Sequence, residues 1–328
     1  MFLLIKGQAK KNIPPLAILC ISILFNSSIF ADDMGKILKV GLLPDDNTEI
    51  ILERFEPVRL RIEKEIDCEV QVAIPAMGKK HTYDDLVNEL IAGKIDMAYL
   101  GGFSYVKAAS KIPTTLIAMR KKDTKFRSYF IAKRSLNIKS LTDLKGHSFA
   151  FGSSSSTSGH LMPRHFLLGK GINPEKDFNG AEKYSGTHGN TLRLVMSGQV
   201  DAGVLNSNVY DRYLQEGKIN TDKVEVVWVT PGYPDYIWVA SESLNENVKN
   251  KLSNFFINLT PGSLEDSRIL KSLEADYYIS PKPKMFSKLK NVAIKLNLIK
   301  DEITDSTKIL FPELKSNRKK RLEFIYKN

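Results

Sequence analysis

The stretch "FGSSSSTSGH", residues 151–160, places six hydroxyl side chains in a row, Ser153 to Ser158. The apolar run "HSFAFG" (147–152) precedes them, and the helical-looking run "GHLMPRHFLLGKG" (159–171) follows. Serine-rich segments are usually solvated linkers. This one falls where a strand hands over to a helix, and that position changes its reading. The first turn of a helix carries backbone N–H groups without partners, at the positive end of the helix dipole. A turn dense in hydroxyls there can aim side-chain and backbone donors at one anion. Gly159 lets the backbone approach closely, and Pro163 removes an N–H just past the first turn, where the loss is modest. Ordinary capping with spare serines is the other reading of the same residues.

Strand-like and helix-like runs alternate on either side of this turn. "ILKVGLLP" (37–44) reads as a buried strand and "EIILERFEPVRLRIEKEI" (49–66) as a helix. "CEVQVAI" (68–74) is a short strand, "YDDLVNELIAGK" (83–94) a helix stopped by Gly93, and "IDMAYLG" (95–101) a further strand. Such alternation predicts parallel sheets with helices on both faces. An internal echo supports two similar halves. "GKIDMAYL" (93–100) and "GQVDAGVL" (198–205) match at several offsets, 105 residues apart, each behind an amphipathic helix. "RSYFIAKRSLNIKSLTDLKGHSFAFG" and "VEVVWVTPGYPDYIWVAS" read as the segments where the chain passes between the halves. After Leu244 helical runs dominate.

The amino-terminal segment stands apart. Lys6, Lys10 and Lys11 precede the apolar run "LAILCISILF" (16–25), and "SSIFADD" offers a cut after Ala31. This is the layout of a secretory signal peptide, residues 1–31, with an apolar run too short to span a bilayer. Leu19 before Cys20 does not suit a lipoprotein signal. Removal of the segment leaves Cys68 alone, so no intrachain disulfide is expected and the fold rests on packing. The expected address is the periplasm. With 328 residues, 42% of them hydrophobic, the chain is long enough for two lobes with real cores. Lys and Arg number 48 against 37 Asp and Glu, an excess that suits an anionic ligand. Part of it lies in the tail "KSNRKKRLEFIYKN", read as a solvated end and not a nucleic-acid arm.

Several motifs occur in unbroken order between about Val40 and Leu259: "YLGGFSYV" after "GKIDMA", "SLTDLKGHSFAFGSSSSTSGHLMPRHFL", "GTHGNTLRLVMSGQVDAG" and "YPDYIWV". As a set they resemble the periplasmic phosphate, phosphite and phosphonate-binding proteins of ABC transporters. The resemblance implies the α/β, two-lobed type II periplasmic-binding-protein fold, each lobe a mainly parallel sheet flanked by helices. It implies residues 36–128 plus 235–328 as one lobe and 129–234 as the other, with a phosphorus oxyanion held between them and delivered to a membrane permease. Ser156, Thr157 and Ser158 match the family's anion-binding turn, and His188 in "GTHGN" its ligand-binding histidine. Tyr83 and Tyr99 fall at or beside aromatic positions of the first lobe. Asp235 and Tyr236 fall in the segment returning from the second.

Hydroxyls and N–H groups can replace the hydration of an anion without a buried lysine. His188 can donate as neutral imidazole or as imidazolium, and an anion would favour the latter. Asp235 beside an anion fits only a ligand that offers a proton, such as P–OH, or a cationic amine further out. Asn208, in "LNSNVYDRY", stands where relatives that take amino-substituted phosphonates can place an acid, which points to phosphite, phosphate or a small alkylphosphonate.

Three rival readings have weaker support. Histidines 160 and 165 lie about 140° apart around a helix, so they do not form the same-face pair of a zinc helix. No G-x-S-x-G elbow marks a serine hydrolase, so no catalytic residue, metal or cofactor is expected. A binding protein that reports to a sensor kinase would carry the same pocket. A monomer without nucleic-acid partners is the expectation.

Overall fold

The computed structural model describes residues 37–45, 48–75 and 83–300. The signal peptide expected over 1–31, the basic tail and His81 lie outside the described residues. The first sheet begins with β1 (Ile37–Leu42), whose Leu38, Val40 and Leu42 are buried. Helix α1 (Thr48–Ile66) returns to β2 (Glu69–Ala73), parallel to β1 with Val40 opposite Val72. Helix α2 (Tyr83–Ile91) leads to β3 (Met97–Leu100), parallel to β1 on its other side. Then come α3 (Gly102–Ala109) and β4 (Thr114–Arg120).

The second sheet opens with β5 (Ser128–Lys133) and continues through β6 (Phe149–Phe151). Helices α4 (Met162–Gly169) and α5 (Pro174–Asp177) lead to β7 (Lys183–Tyr184), and α6 (His188–Met196) leads to β8 (Ala202–Asn206). Helix α7 (Ser207–Gln215) precedes β9 (Val224–Val229). The chain then returns to the first sheet as β10 (Ile237–Ser241), α8 (Glu246–Asn258), α9 (Leu264–Ser272), β11 (Tyr278–Ile279) and α10 (Ser287–Lys295).

The strand orders are β11-β4-β10-β3-β1-β2 and β7-β6-β8-β5-β9. Read from β2 and from β7, the two orders share one topology. Strand β10 is antiparallel to both β3 and β4, and β5 is antiparallel to both β8 and β9. Every strand that pairs with β10 or β5 therefore runs in the sense of the parallel core, and each sheet holds one central strand against it. In both cases it is the first strand after a crossing. A chain arriving from the facing sheet enters at the end where the other strands finish, so it must run against them.

The echoed segments occupy equivalent places. Gly93 and Gly198 follow α2 and α6 with φ of 67° and 76°, the left-handed conformation that glycine adopts without strain. The Asp96 carboxylate accepts from Lys39 N at 2.8 Å, and the Asp201 carboxylate accepts from Ser148 N at 3.0 Å. Each aspartate N–H donates back to the carbonyl of the same residue. The motif thus pins β3 to β1 in one sheet, and locks Asp201, just ahead of β8, to Ser148, just ahead of β6, in the other. Hydrophobic clusters cover both faces of each sheet, which explains why β1, β8 and β10 read as continuous apolar runs.

The crossing segments pair with each other. Phe126 and Tyr233 exchange backbone hydrogen bonds at 2.8 and 3.0 Å, and Asp235 N donates to Asp123 O at 3.0 Å. Beside them lies a buried ion pair that sequence reading missed. Arg120 grips Asp123 through Nε (2.6 Å) and Nη2 (3.0 Å), and its guanidinium lies 5.7 and 5.5 Å from the ring centres of Tyr99 and Tyr236.

Candidate ligand-binding site

The hydroxyl run enters helix α4 through a wider turn than the expected α-helical start at Gly159. Residues Thr157–Leu161 form a π-type turn, with Leu161 N bonded to Ser156 O and Met162 N bonded to Thr157 O. Two features of the sequence account for it. Pro163 has no N–H to offer Gly159 O, and that carbonyl accepts instead from Gly152 N at 2.8 Å. The backbones of Gly152 and Gly159 touch: a Cβ on either would lie 3.0 Å from the Cα of the other. A side chain at either position would have to push the facing backbone back by a few tenths of an ångström.

Five of the six hydroxyl residues are buried, Ser154 being exposed. Ser156 is the N-cap, its Oγ accepting from Gly159 N at 2.9 Å. Ordinary capping therefore accounts for Ser156 alone. Thr157 points across to the first lobe, where its Oγ1 accepts from Phe103 N at 2.9 Å and its hydroxyl bonds the Asp235 carboxyl. Ser158 is buried, and its carbonyl accepts from Ser128 Oγ at 2.7 Å, which ties the turn to the crossing segment. His160, raised above as a metal candidate, holds the run from behind: its Nδ1 bonds Ser154 O at 2.7 Å, while Nε2 accepts from Arg164 Nε at 3.0 Å. Burial lowers its pKa to about 4, so it serves as a neutral strut.

Asp235 sits at the centre of the arrangement. Its Oδ1 accepts from Gly102 N at 2.8 Å, the first residue of α3. Burial pushes the carboxyl up to about 7, against the Thr157 and Gly102 hydrogen bonds that lower it. Sequence reading did not identify α3 as a contributor, although the Gly101–Gly102 pair after β3 is a usable sign. Bulkier residues would crowd this corner, since a Cβ on Gly101 would lie 3.3 Å from Asp235 Oδ1 and 3.4 Å from Thr157 Oγ1.

His188 is the first residue of α6 and is fully buried. A Cβ on Gly159 would lie 3.2 Å from its Cε1, which places the ring against the hydroxyl turn. Its Nδ1 lies 3.3 Å from Asn206 N and accepts from it. An acceptor nitrogen carries no proton, so the hydrogen-bond network assigns a neutral imidazole with its proton on Nε2. The neutral form is one of the two that the sequence left open; a bound anion would favour the imidazolium.

Asn206, also missed from sequence, caps α7 through Oδ1 and donates from Nδ2 to Tyr236 OH at 2.9 Å. Tyr236 in turn donates to Asp45 at 2.9 Å. Tyr83 is buried at the first position of α2, in electrostatic reach of Tyr236. Tyr99 stacks on Tyr236 at 5.4 Å, and its hydroxyl is buried with no hydrogen-bond partner among the described residues. The structure therefore brings Ser156, Thr157, Ser158, His188 and Asp235 to one place. Tyr83, Tyr99 and Tyr236 lie behind them on the first-lobe side. A cavity of about 90 Å³ adjoins Tyr236 and Tyr99, lined also by Asn206, Asn208, Arg54 and Arg212.

These groups share one feature. They stand at or beside the starts of α2, α3, α4, α6 and α7, which follow the ends of strands. Such ends collect unpaired N–H groups and positive dipole charge, and in open α/β sheets they are where ligands bind. A family model described as "ABC transporter, phosphonate, periplasmic substrate-binding protein" matches residues 40–286. The chain belongs to this family. The probable ABC transporter phosphite binding protein PhnD1 of Prochlorococcus marinus (strain MIT 9301) is 34% identical over 288 residues, covering 84% of this chain and 94% of the relative. The structure of PhnD1 in complex with methylphosphonate superposes with a TM-score of 0.75 at 33% identity, covering 80% of this chain and 99% of the other. The phosphate-import protein PhnD of Mycolicibacterium smegmatis is 25% identical over 242 residues, 70% of this chain and 74% of its own. The phosphonate-family chain thus has the two-lobed type II periplasmic-binding-protein fold.

Proposed function

We propose that this phosphonate-family binding protein captures a protonated phosphorus oxyanion between its lobes and delivers it to an ABC-transporter permease. The ligand is phosphite, phosphate or a small alkylphosphonate. The observation that carries this reading is the meeting of Thr157, from one lobe, with Asp235 and the first N–H of α3, from the other. Ser156, Ser158 and His188 Nε2 act as donors to the P–O oxygens, while Thr157, whose one hydroxyl proton goes to Asp235 and whose oxygen accepts from Phe103 N, holds Asp235 towards the ligand. Asp235 accepts the proton of a P–OH group, which a sulfonate at neutral pH does not have. Asn208 stands in the adjoining cavity and brings no carboxylate of its own to pair with a cationic amine on the ligand.

The lobes on this reading are residues 36–128 plus 235–328, and 129–234, hinged at the paired crossing segments. The ligand favours closure because it contacts both lobes only in the closed form. Export through the leader at 1–31 delivers the chain to the periplasm, where it acts as a monomer. Among the described residues no helix is long and apolar enough to cross a membrane. Titration calorimetry with phosphite, phosphate, methylphosphonate, 2-aminoethylphosphonate and sulfate tests the assignment. Tight binding of at least one of the first three is expected, with weak or absent binding of the last two. Absence of binding by every phosphorus oxyanion overturns it.

A further inference from the structure

Two groups of polar contacts join the lobes without involving the residues assigned to the anion. On one side, Ser155 of the hydroxyl run donates through Oγ to Asp84 Oδ2 of α2 at 2.7 Å and accepts from Lys107 Nζ of α3 at 2.8 Å. Lys107 and Asp84 are themselves ion-paired. Ser104 Oγ of α3 adds a bond to Ser155 O at 3.2 Å. On the other side, Arg212 of α7 pairs with Glu274 Oε1 at 3.0 Å, and Arg54 of α1 holds the same oxygen at 2.8 Å.

Glu274 is an unexpected residue for its position. It follows the end of α9 with φ of 49°, the left-handed conformation where helices ordinarily place glycine or asparagine. A glutamate there costs backbone free energy, and its side chain is committed to the arginines of two lobes. Ser155 is likewise buried for contacts that capping does not require.

We propose that Ser155 with Asp84 and Lys107, and Glu274 with Arg212, are closure clasps: positioning residues that set ligand affinity by stabilising the closed arrangement. A group that touches only protein shifts the open–closed equilibrium by the same factor whichever anion is bound, so it scales all affinities together. A group that touches the anion changes the ratio between anions. The proposal rests on the anion site assigned above, but its signature is separable from that assignment.

The test uses the mature chain and the variants Ser155→Ala and Glu274→Gly. Phosphite and methylphosphonate are titrated calorimetrically, and small-angle scattering of the ligand-free protein reads lobe separation. Each variant is expected to weaken both anions by about three- to tenfold, the range for losing one or two partly exposed charged contacts. Their affinity ratio stays constant within about twofold, and the double variant shows the product of the single effects, as for distant sites. Glu274→Gly relieves the backbone at a left-handed position, so it is expected to melt no lower than wild type while binding more weakly. That combination separates closure from a fold defect. Unchanged affinity in both variants, or a changed anion ratio, overturns the clasps. If wild type binds neither anion, the ligand assignment fails, and scattering then decides the clasps alone: an unchanged radius in both variants refutes them.

Discussion

On the proposed reading, Asp235 serves binding at a cost to stability. Its buried carboxyl titrates near 7, against 3.8 for the free group, so the folded state holds a proton that the unfolded state releases. Stability is therefore fullest below about pH 4 with respect to this group, and declines as pH rises toward 7. Asp235→Asn keeps an acceptor for Gly102 N and Thr157 and removes the charge. At pH 8 it is expected to raise the unfolding free energy by on the order of 2–4 kcal/mol, a gain that vanishes near pH 4. The same variant loses phosphite affinity, because an amide no longer accepts as a carboxylate does. Denaturant melts at the two pH values and calorimetry check both halves; equal stability of variant and wild type at pH 8 would refute the buried charge. Thr157→Ala and His188→Ala each carry a simpler expectation, a loss of about 1–3 kcal/mol in phosphite binding measured by calorimetry. These side chains were legible because hydroxyls, imidazole and carboxylate announce their chemistry. Gly102 was not, because its contribution is a backbone N–H, and Asn206 acts by locking the tautomer of His188 from a strand end with no motif.

At the scale of elements, the strand-to-helix turn was visible in the hydroxyl run, but its shape was not. Hydrophobic spacing places a helix after Ser158 without reporting that Gly159 O turns away to Gly152, which is what widens the first turn. The contact between those two glycines makes a sharp expectation. Gly152→Ala or Gly159→Ala drives a methyl to 3.0 Å from backbone that cannot yield as a side chain would. Each is expected to cost about 1–3 kcal/mol of stability, as overpacking does, and to disturb anion binding with it. Gly169→Ala is the control on the same helix: nothing lies within 4 Å of its added Cβ. It should be neutral or stabilising by up to about 1 kcal/mol. Urea unfolding of the three variants ranks them, and a destabilised Gly169→Ala beside a tolerated Gly152→Ala would contradict the packing described. Strand direction was the other element-level gap. Apolar periodicity is the same for β5 and β8, yet they run in opposite senses, and only the path of the crossing explains which is reversed.

For the molecule as a whole, the repeated Gly–x–x–Asp motif shows why two lobes were legible: the same helix stop and the same aspartate lock recur at 93–96 and 198–201. What the repeat does not encode is how the lobes meet, which depends on residues of the two crossings and of the hydroxyl run. That meeting produces a discrimination that can be read on intact protein. A phosphorus monoanion with a P–OH satisfies Asp235 and the surrounding donors together. Sulfate has the same tetrahedral shape and brings no proton, so at pH 8, where Asp235 is mostly ionised, it leaves two acceptors facing each other in a buried site. Ligand that binds only the folded chain raises its stability by about 2.7 kcal/mol at one hundred times Kd, which appears as a melting point several degrees higher. Phosphite or methylphosphonate at millimolar concentration should produce that rise together with a smaller radius of gyration, since both lobes close on it. Sulfate at the same concentration and ionic strength, at pH 8, should produce neither. A sulfate shift equal to that of phosphite would remove Asp235 from the anion's contacts, because no arrangement of a proton-accepting carboxyl there binds the two equally.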